Sequence, residues 1–366
     1  MFLKVAVLPG DGIGPEVTRQ AVRMLRVAAE ASGVDVRLTE WPIGGAALAA
    51  GEPPLPAATL EACLASDAVL LGAVGDPRYD GWEPRQRPEA GLLALRRALG
   101  GFANLRPCAC DDALVGCSVL TSARARGVDL LIVRELLGGL YYGEPRGVDA
   151  DGSAAMNTMR YTRDEVARVA HLAFAEARQR RHRVTSVDKA NVLETSRLWR
   201  TVVSDVGRAY PDVSLDHQYV DAFAMQMLLR PGDLDVVLTG NLFGDILSDE
   251  AAAIAGSLGL LPSASLGGRV ALYEPVHGSA PTLAGTGRAN PIGAIACVAL
   301  LLRHTAGLPD AAAAVEQAVH AALGAGCRTA DLVSGSEAAI GTVQMADAIE
   351  VALSEALDHR RAYHAV

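Results

Sequence analysis

The chain has 366 residues, 50% of them apolar and 20% charged, with 33 Lys and Arg against 42 Asp and Glu for a formal net charge of −9. This composition excludes intrinsic disorder, and the acidic balance speaks against a nucleic-acid partner, which requires a basic face. At about 150 residues per domain the length corresponds to roughly two domains.

In chain order, Leu3 to Leu8 reads as a buried strand. Pro15 to Ala31 reads as a helix with Val17, Ala21, Met24, Leu25 and Ala28 on one stripe, ended by Gly33. Val34 to Trp41 alternates as a strand, Ala68 to Ala73 is an apolar strand, and Pro88 to Leu99 is a helix carrying Arg96 and Arg97 near its end. Asp129 to Val133 is a short buried strand with Arg134 directly after it. Thr162-x-x-Glu165 is a capping-box pattern that opens a helix to about Arg181. Val184 to Val187 and Leu234 to Leu238 are strands, with Lys189 and Asn241 just beyond them. Asp245 to Ala255 is helical, Arg269 to Tyr273 is a strand, and Pro291 to His304 and Thr342 to Leu357 are helices. The alternation predicts an α/β fold whose sheets are flanked by helices. In such folds ligands bind beyond the carboxyl ends of strands, where Arg134, Lys189 and Asn241 are expected.

The longest apolar stretch, Pro291 to Leu302, is too short to span a bilayer. The N-terminus meets Pro9-Gly10-Asp11 before a secretory apolar region can form. The six cysteines lack zinc, redox or disulfide spacing and read as buried reduced thiols. The expectation is a soluble cytoplasmic protein with no membrane partner.

Five groups of residues carry chemistry. Gly10-Asp11-Gly12-Ile13-Gly14-Pro15-Glu16 joins a strand to a helix, but Pro15 replaces the last glycine of a dinucleotide fingerprint, so a plain tight turn is an equal reading. Asp245 and Asp249 share one helix face. They read either as a solvated acidic helix start or, with Asp221 as a third carboxylate, as a site for Mg²⁺ or Mn²⁺. Arg96, Arg106 and Arg134 fall near element ends, and arginine forks grip carboxylates. Lys189 and Tyr141 are the proton-transfer candidates. The loop His277-Gly278-Ser279-Ala280-Pro281, with Asn290 beyond it, lets backbone approach a ligand, and Asn290 could read a base edge.

Together these stretches resemble the β-decarboxylating dehydrogenases, the isocitrate/isopropylmalate dehydrogenase family. The blocks that carry the likeness are Leu8 to Glu16, Arg87 to Arg96, Phe102 to Pro107, Val133 to Gly147, Val184 to Glu194, Asn241 to Asp249 and Glu274 to Pro281. They run in family order over nearly the whole chain. The resemblance implies a two-domain α/β fold with parallel or mixed sheets that is not a classical Rossmann fold. Residues 1–101 and 252–366 would form a cofactor domain holding both termini. Residues 102–251 would form the substrate, metal and dimerisation domain, with an arm at about 142–162. It also implies a homodimer with shared active sites, in which Lys189 and Asp221 of one subunit face the arginines, Tyr141, Asp245 and Asp249 of the other.

By the same likeness Arg96, Arg106 and Arg134 hold substrate carboxylates, and Asp221, Asp245 and Asp249 hold Mg²⁺ or Mn²⁺. Lys189 removes a hydroxyl proton as hydride leaves for NAD, CO₂ is lost, and Tyr141 protonates the enolate. Ile13, Asn241, Glu274, His277, Gly278, Ser279, Ala280, Thr282 and Asn290 are the expected cofactor contacts. Glu89, Leu92 and Leu93 share a helix face with Arg96, and the leucines suit an isopropyl group. The expected reaction is therefore oxidative decarboxylation of (2R,3S)-3-isopropylmalate to 2-oxoisocaproate in leucine biosynthesis. Homoisocitrate, tartrate, malate or another 3-alkylmalate is the alternative substrate. A non-catalytic nucleotide-binding protein is the other class. Two departures stand out. Thr282 replaces the Asp that NAD-dependent members carry, so NADP stays open, and Leu137 replaces the usual Thr.

Overall fold

The computed structural model describes residues 2–333 and 338–364, with side chains through 358; Met1, residues 334–337 and the last two residues, all in the expected cofactor domain, lie outside them. The strands are β1 (Phe2–Gly10), β2 (Asp35–Glu40), β3 (Ala68–Ala73), β4 (Ala103–Ala109), β5 (Asp129–Glu135), β6 (Gly147–Val148), β7 (Ala155–Met156), β8 (Arg183–Asp188), β9 (Ser214–Tyr219), β10 (Val236–Thr239), β11 (Pro262–Leu266) and β12 (Ala271–Pro275). The helices are α1 (Gly14–Ala31), α2 (Gly45–Ala49), α3 (Ala57–Leu64), α4 (Pro88–Leu99), α5 (Ser122–Ala125), α6 (Arg163–Arg178), α7 (Glu194–Gly207), α8 (Val220–Leu229), α9 (Asn241–Ala255), α10 (Ile292–His304), α11 (Pro309–Gly324) and α12 (Thr342–His364).

Local chemistry accounts for the elements that position the site. The α1 stripe of Val17, Ala21, Met24, Leu25 and Ala28 is fully buried, as its spacing requires. Helix α6 opens on the expected capping box. Thr162 Oγ1 accepts the Glu165 N–H at 3.3 Å, and Glu165 Oε2 accepts the Thr162 N–H at 2.7 Å. Helix α4 buries Pro88, Gly91, Leu95 and Leu99, and ends on left-handed Gly100. Leu95 is wholly buried, so its truncation to Ala costs about 2–5 kcal/mol.

One sheet runs through the molecule, in the order β2-β1-β3-β12-β11-β4-β5-β10-β8-β9. Pairing is parallel at both ends, but β12–β11, β11–β4 and β4–β5 are antiparallel. Strands β4 and β11 go unpredicted, because Asn104, Arg106 and Pro107 interrupt one and Pro262 and small serines make up the other. They are nonetheless buried, since their polar groups satisfy each other: Asn104 Nδ2 donates to Ser265 Oγ at 3.0 Å and Ser263 Oγ at 3.3 Å. Helices cover both faces. The largest apolar core lies under α1, α6, α7, α10, α11 and α12; a second lies under α8 and α9, and a third under α3 and α4. A short hairpin, β6–β7, stands apart from the sheet.

Several expected boundaries move. Arg134 lies within β5 rather than after it. Asp221 sits in the first turn of α8. Helix α9 begins at Asn241, so Asp245 and Asp249 stand on its second and third turns. Helix-dipole stabilisation fades within the first turn, so the acidic-start reading of this pair loses its physical basis. None of the six cysteines is in a disulfide, but Cys117 and Cys327 are only partly buried, unlike the other four.

Candidate active site

The site is built around Asp245. Arg134 leaves β5 with its side chain 1% exposed, and its stem lies against Gly244 of α9, where any Cβ would collide with it. Its guanidinium donates Nη1–H to Asp245 Oδ1, and Nε–H and Nη2–H to Asn241 Oδ1 at 3.0 and 2.7 Å. Arg106, on β4, donates to Asn104 Oδ1 at 2.7 Å and to Ser248 Oγ at 2.5 Å, and its Nη1 lies 3.6 Å from Asp245 Oδ1. Tyr141 donates its hydroxyl to Asp245 Oδ2 at 2.5 Å, with the Arg134 guanidinium 5.4 Å from its ring centre. Thus one carboxylate gathers two arginines and a phenol, and Asp249 stands one turn further along α9.

Burial and charge compete at each of these groups. Burial alone would raise the Asp245 carboxyl, but Arg134, the Tyr141 hydrogen bond, Arg106 and Arg96 outweigh it and hold it below the ordinary range. Asp249 goes the other way: burial raises it, Asp245 adds to the rise, and the arginines only partly oppose it. Burial pushes Arg106 down to about 9, with the like charge of Arg134 contributing, and it stays charged at neutral pH. Tyr141 is raised by burial and by its bond to Asp245, so it holds its proton.

A second cluster joins α4 to the turn regions. Arg96 donates Nε–H and Nη2–H to Glu274 Oε1 at 3.0 and 2.7 Å, a buried pair that the sequence reading assigned to two different ligands. Leu93 and Glu89 line a groove together with Arg97, Tyr141, Tyr142 and Arg146, whereas Leu92 packs onto the third core. The Ile13 N–H donates to Ser279 O at 2.8 Å, and Gly12 has φ +57°, where a side chain would run into the Ser279 carbonyl. Asp11 fixes this turn by accepting the N–H groups of Gly45, Ala46 and Gly75 at 2.9, 2.7 and 2.9 Å. Ala280 is left-handed at φ 39°, a strained conformation for a residue with a Cβ. Gly278 and Thr282 are exposed. His277 is buried, with Nδ1 2.9 Å from Gly278 O and, among the described residues, no hydrogen-bond partner for Nε2, and burial lowers its pKa.

Two expected cofactor contacts have their side chains engaged inside the chain. Asn290 donates to Asp331 Oδ2 at 3.0 Å and accepts the Ile292 N–H at 3.0 Å. Asn241 accepts from Arg134 and donates Nδ2–H to Leu136 O and Gly138 O, both at 3.0 Å.

Lys189 and Asp221 form a third cluster. Lys189 follows β8 directly, its N–H donating to Ser196 Oγ at 3.0 Å. Its Nζ lies 2.6 Å from Asp221 Oδ1, which sits below the ordinary carboxylate range because of that bond. Asp188 holds the same loop, pairing with Arg200 at 2.9 Å and accepting the Ala190 N–H at 2.8 Å. Within one chain Asp221 does not meet Asp245 and Asp249: among the described residues no three potential ligands converge on one point. Sequence reasoning missed Ser248 and Asn104, both of which touch Arg106. Their signals were present, Ser248 three residues from Asp245 on α9 and Asn104 two residues from Arg106 on one strand face.

These clusters lie on a shared scaffold of dehydrogenases. The chain belongs to the isocitrate/isopropylmalate dehydrogenase family, whose profile matches residues 4–349. Its curated relatives include the 3-isopropylmalate dehydrogenases of Salinibacter ruber, 58% identical over 91% of this chain and 90% of that one, and of Nitratidesulfovibrio vulgaris, 52% identical over 95% and 99%. Among solved structures, the isocitrate dehydrogenase of Methylococcus capsulatus matches with TM-score 0.86 at 37% identity, covering 96% of this chain and 99% of that one. A β-decarboxylating dehydrogenase from Thermococcus kodakarensis, in its apo form, matches with TM-score 0.79 at 36% identity over 96% of each chain.

Proposed function

We propose that this chain catalyses the oxidative decarboxylation of 3-isopropylmalate, with reduction of NAD, in leucine biosynthesis. The observation that carries the reading is the convergence of Arg106, Arg134 and Tyr141 on Asp245, one turn from Asp249. The relatives at 52–58% identity support the isopropylmalate substrate over others handled on the same fold.

The donor set suits a hard divalent cation. Asp245 and Asp249 supply two carboxylates on one helix face, and Mg²⁺ or Mn²⁺ completes such a set with substrate oxygens and water. Asp221 of a second copy is the third carboxylate. When bound, the ion acidifies the 2-hydroxyl and draws electrons from the 2-keto group. Arg96, Arg106 and Arg134 hold the two carboxylates of the substrate. Lys189 from the second copy takes the hydroxyl proton, and the nicotinamide nucleotide, when bound, would supply the acceptor for the C2 hydride. The β-keto acid then loses CO₂, and the electron pair left behind forms an enolate. Tyr141, kept protonated by its surroundings, donates its proton to that enolate carbon. Leu93 in the groove supplies apolar surface for the isopropyl group, with Leu92 behind it.

The same reading divides the chain into residues 1–101 with 252–366, for the cofactor, and 102–251, for substrate and metal, with the arm at 142–162. The β4–β11 pair is then the junction. A homodimer is supported by the apolar face of α8 and α9, where Met225, Leu229 and Ile246 are 60, 44 and 60% exposed. Ile13, Glu274, the His277–Thr282 loop and Asn290 would border the nicotinamide nucleotide.

The test is formation of reduced nicotinamide from 3-isopropylmalate and Mg²⁺, with NAD and NADP in parallel and isocitrate as control. Turnover that needs the metal, prefers NAD and ignores isocitrate is expected. Turnover with isocitrate alone would overturn the assignment. Thr282→Asp should raise the NAD preference by placing a carboxylate against a 2′-phosphate, and an unchanged ratio would remove Thr282 from the cofactor site.

A further inference from the structure

The proposed substrate arginine Arg134 is set by a residue that the sequence reading assigned to the cofactor. Asn241 is 1% exposed, and both ends of its amide are in use. Its Oδ1 accepts two hydrogen bonds from the Arg134 guanidinium, at 3.0 and 2.7 Å. Its Nδ2 donates to Leu136 O and Gly138 O, each at 3.0 Å. A carboxamide offers two acceptor lone pairs and two N–H donors, so nothing of this side chain is left for a ligand. Its place is equally fixed. Helix α9 starts after Gly240, which has no side chain to cap it, and the Asn241 N–H donates instead to Tyr161 Oη at 2.8 Å. The Tyr161 ring is half-buried and packs edge-on against Trp199 of α7. The loop that Asn241 holds from one side is held from the other by Glu135, whose two oxygens accept the N–H groups of Leu137 and Gly138 at 2.9 and 2.8 Å. That loop leads directly to Tyr141.

We propose that Asn241, capped by Tyr161, is a positioning residue that aims Arg134 at the substrate carboxylate and is not a cofactor ligand. It ties three parts together: the end of β5, the loop before Tyr141 and the first turn of α9. The role of Arg134 rests on the function proposed above, but the geometry of the Asn241 bonds does not.

Two readouts separate these. Arg134 is shielded, so phenylglyoxal should label its peptide slowly in the wild-type chain, followed by mass spectrometry. In Asn241→Ala, labelling should accelerate about tenfold, and in the milder Tyr161→Phe about threefold, as charged hydrogen bonds and then a single backbone bond are lost. Binding of 3-isopropylmalate by titration should weaken by similar factors, whereas binding of reduced nicotinamide nucleotide, followed by its fluorescence, should stay within about twofold. Weakened nucleotide binding with unchanged Arg134 labelling would overturn the proposal and return Asn241 to the cofactor. If Asn241→Ala does not fold, Tyr161→Phe decides on the same two readouts. If the wild-type chain does not bind 3-isopropylmalate, the proposed function fails while the labelling result still decides the role of Asn241.

Discussion

The Asp245 cluster and the Lys189–Asp221 pair differ in how finished they are. Around Asp245 the cations are buried, the hydrogen bonds are short and the donors are already matched to acceptors. The Asp221 side chain, by contrast, is 67% exposed, and it pairs with Lys189, itself a quarter exposed. One region is preorganised by its own chain. The other offers a lysine and a carboxylate outward on flanking elements, at the ends of β8 and β9. On the function proposed above, a site that needs both would be completed by bringing two surfaces together, and this asymmetry sets the scale of what each mutation is expected to do.

Asp245→Ala should have the largest effect. It leaves two buried arginines facing each other and frees Tyr141, so kcat should fall about 1,000-fold. Stability should drop by about 2–3 kcal/mol, less than for a fully buried pair because Asp245 is partly open to solvent. Steady-state kinetics and urea unfolding check the two numbers. Lys189→Ala should lower kcat by about 100-fold or more, yet change stability by less than about 1 kcal/mol, because its ion pair is exposed. Equal losses of stability in the two variants would erase the contrast.

Mixing sharpens it. Lys189→Ala and Asp249→Ala chains, each inactive alone, should regain about a quarter of wild-type activity when co-expressed, since half the dimers are mixed and one of their two sites is intact. No recovery would mean that each chain holds its whole site. The smallest effect concerns Glu135, which burial pushes up to about 7 against its backbone hydrogen bonds and Arg168. Its folded pKa exceeds the unfolded value of about 4.3, so its stabilising contribution is present at low pH and lost as pH rises through about 7. Stability of Glu135→Gln, measured by urea midpoints, should therefore decline less than wild type between about pH 5 and pH 8.

Much of this was legible in the residues themselves. The α4 helix and β3 match their expected bounds, the α6 capping box forms, and Lys189 stands directly after its strand. Local periodicity and cap chemistry are properties of a few neighbouring residues, so one sequence reveals them. What it hides is polar burial and long-range pairing. Strands β4 and β11 carry asparagine, arginine and serines that look exposed until each is seen to satisfy another. Arg134 and Asn241 are 107 residues apart and meet because β5 and β10 are neighbours. Arg96 and Glu274, 178 apart, meet because α4 packs beside β12, and no spacing rule connects them.

The pairing of β12 with β3 also sets a timetable for the chain's birth. Strand β3 ends at Ala73, and the partner that covers its open edge begins at Ala271. A ribosome adding about 5–20 residues per second needs roughly 10–40 s to make the stretch between them. Throughout that interval the edge of Ala68, Val69 and Leu70, fully buried in the finished fold, has no strand beside it. Until β12 is made, that edge is a template for pairing with another chain unless other parts of the chain cover it.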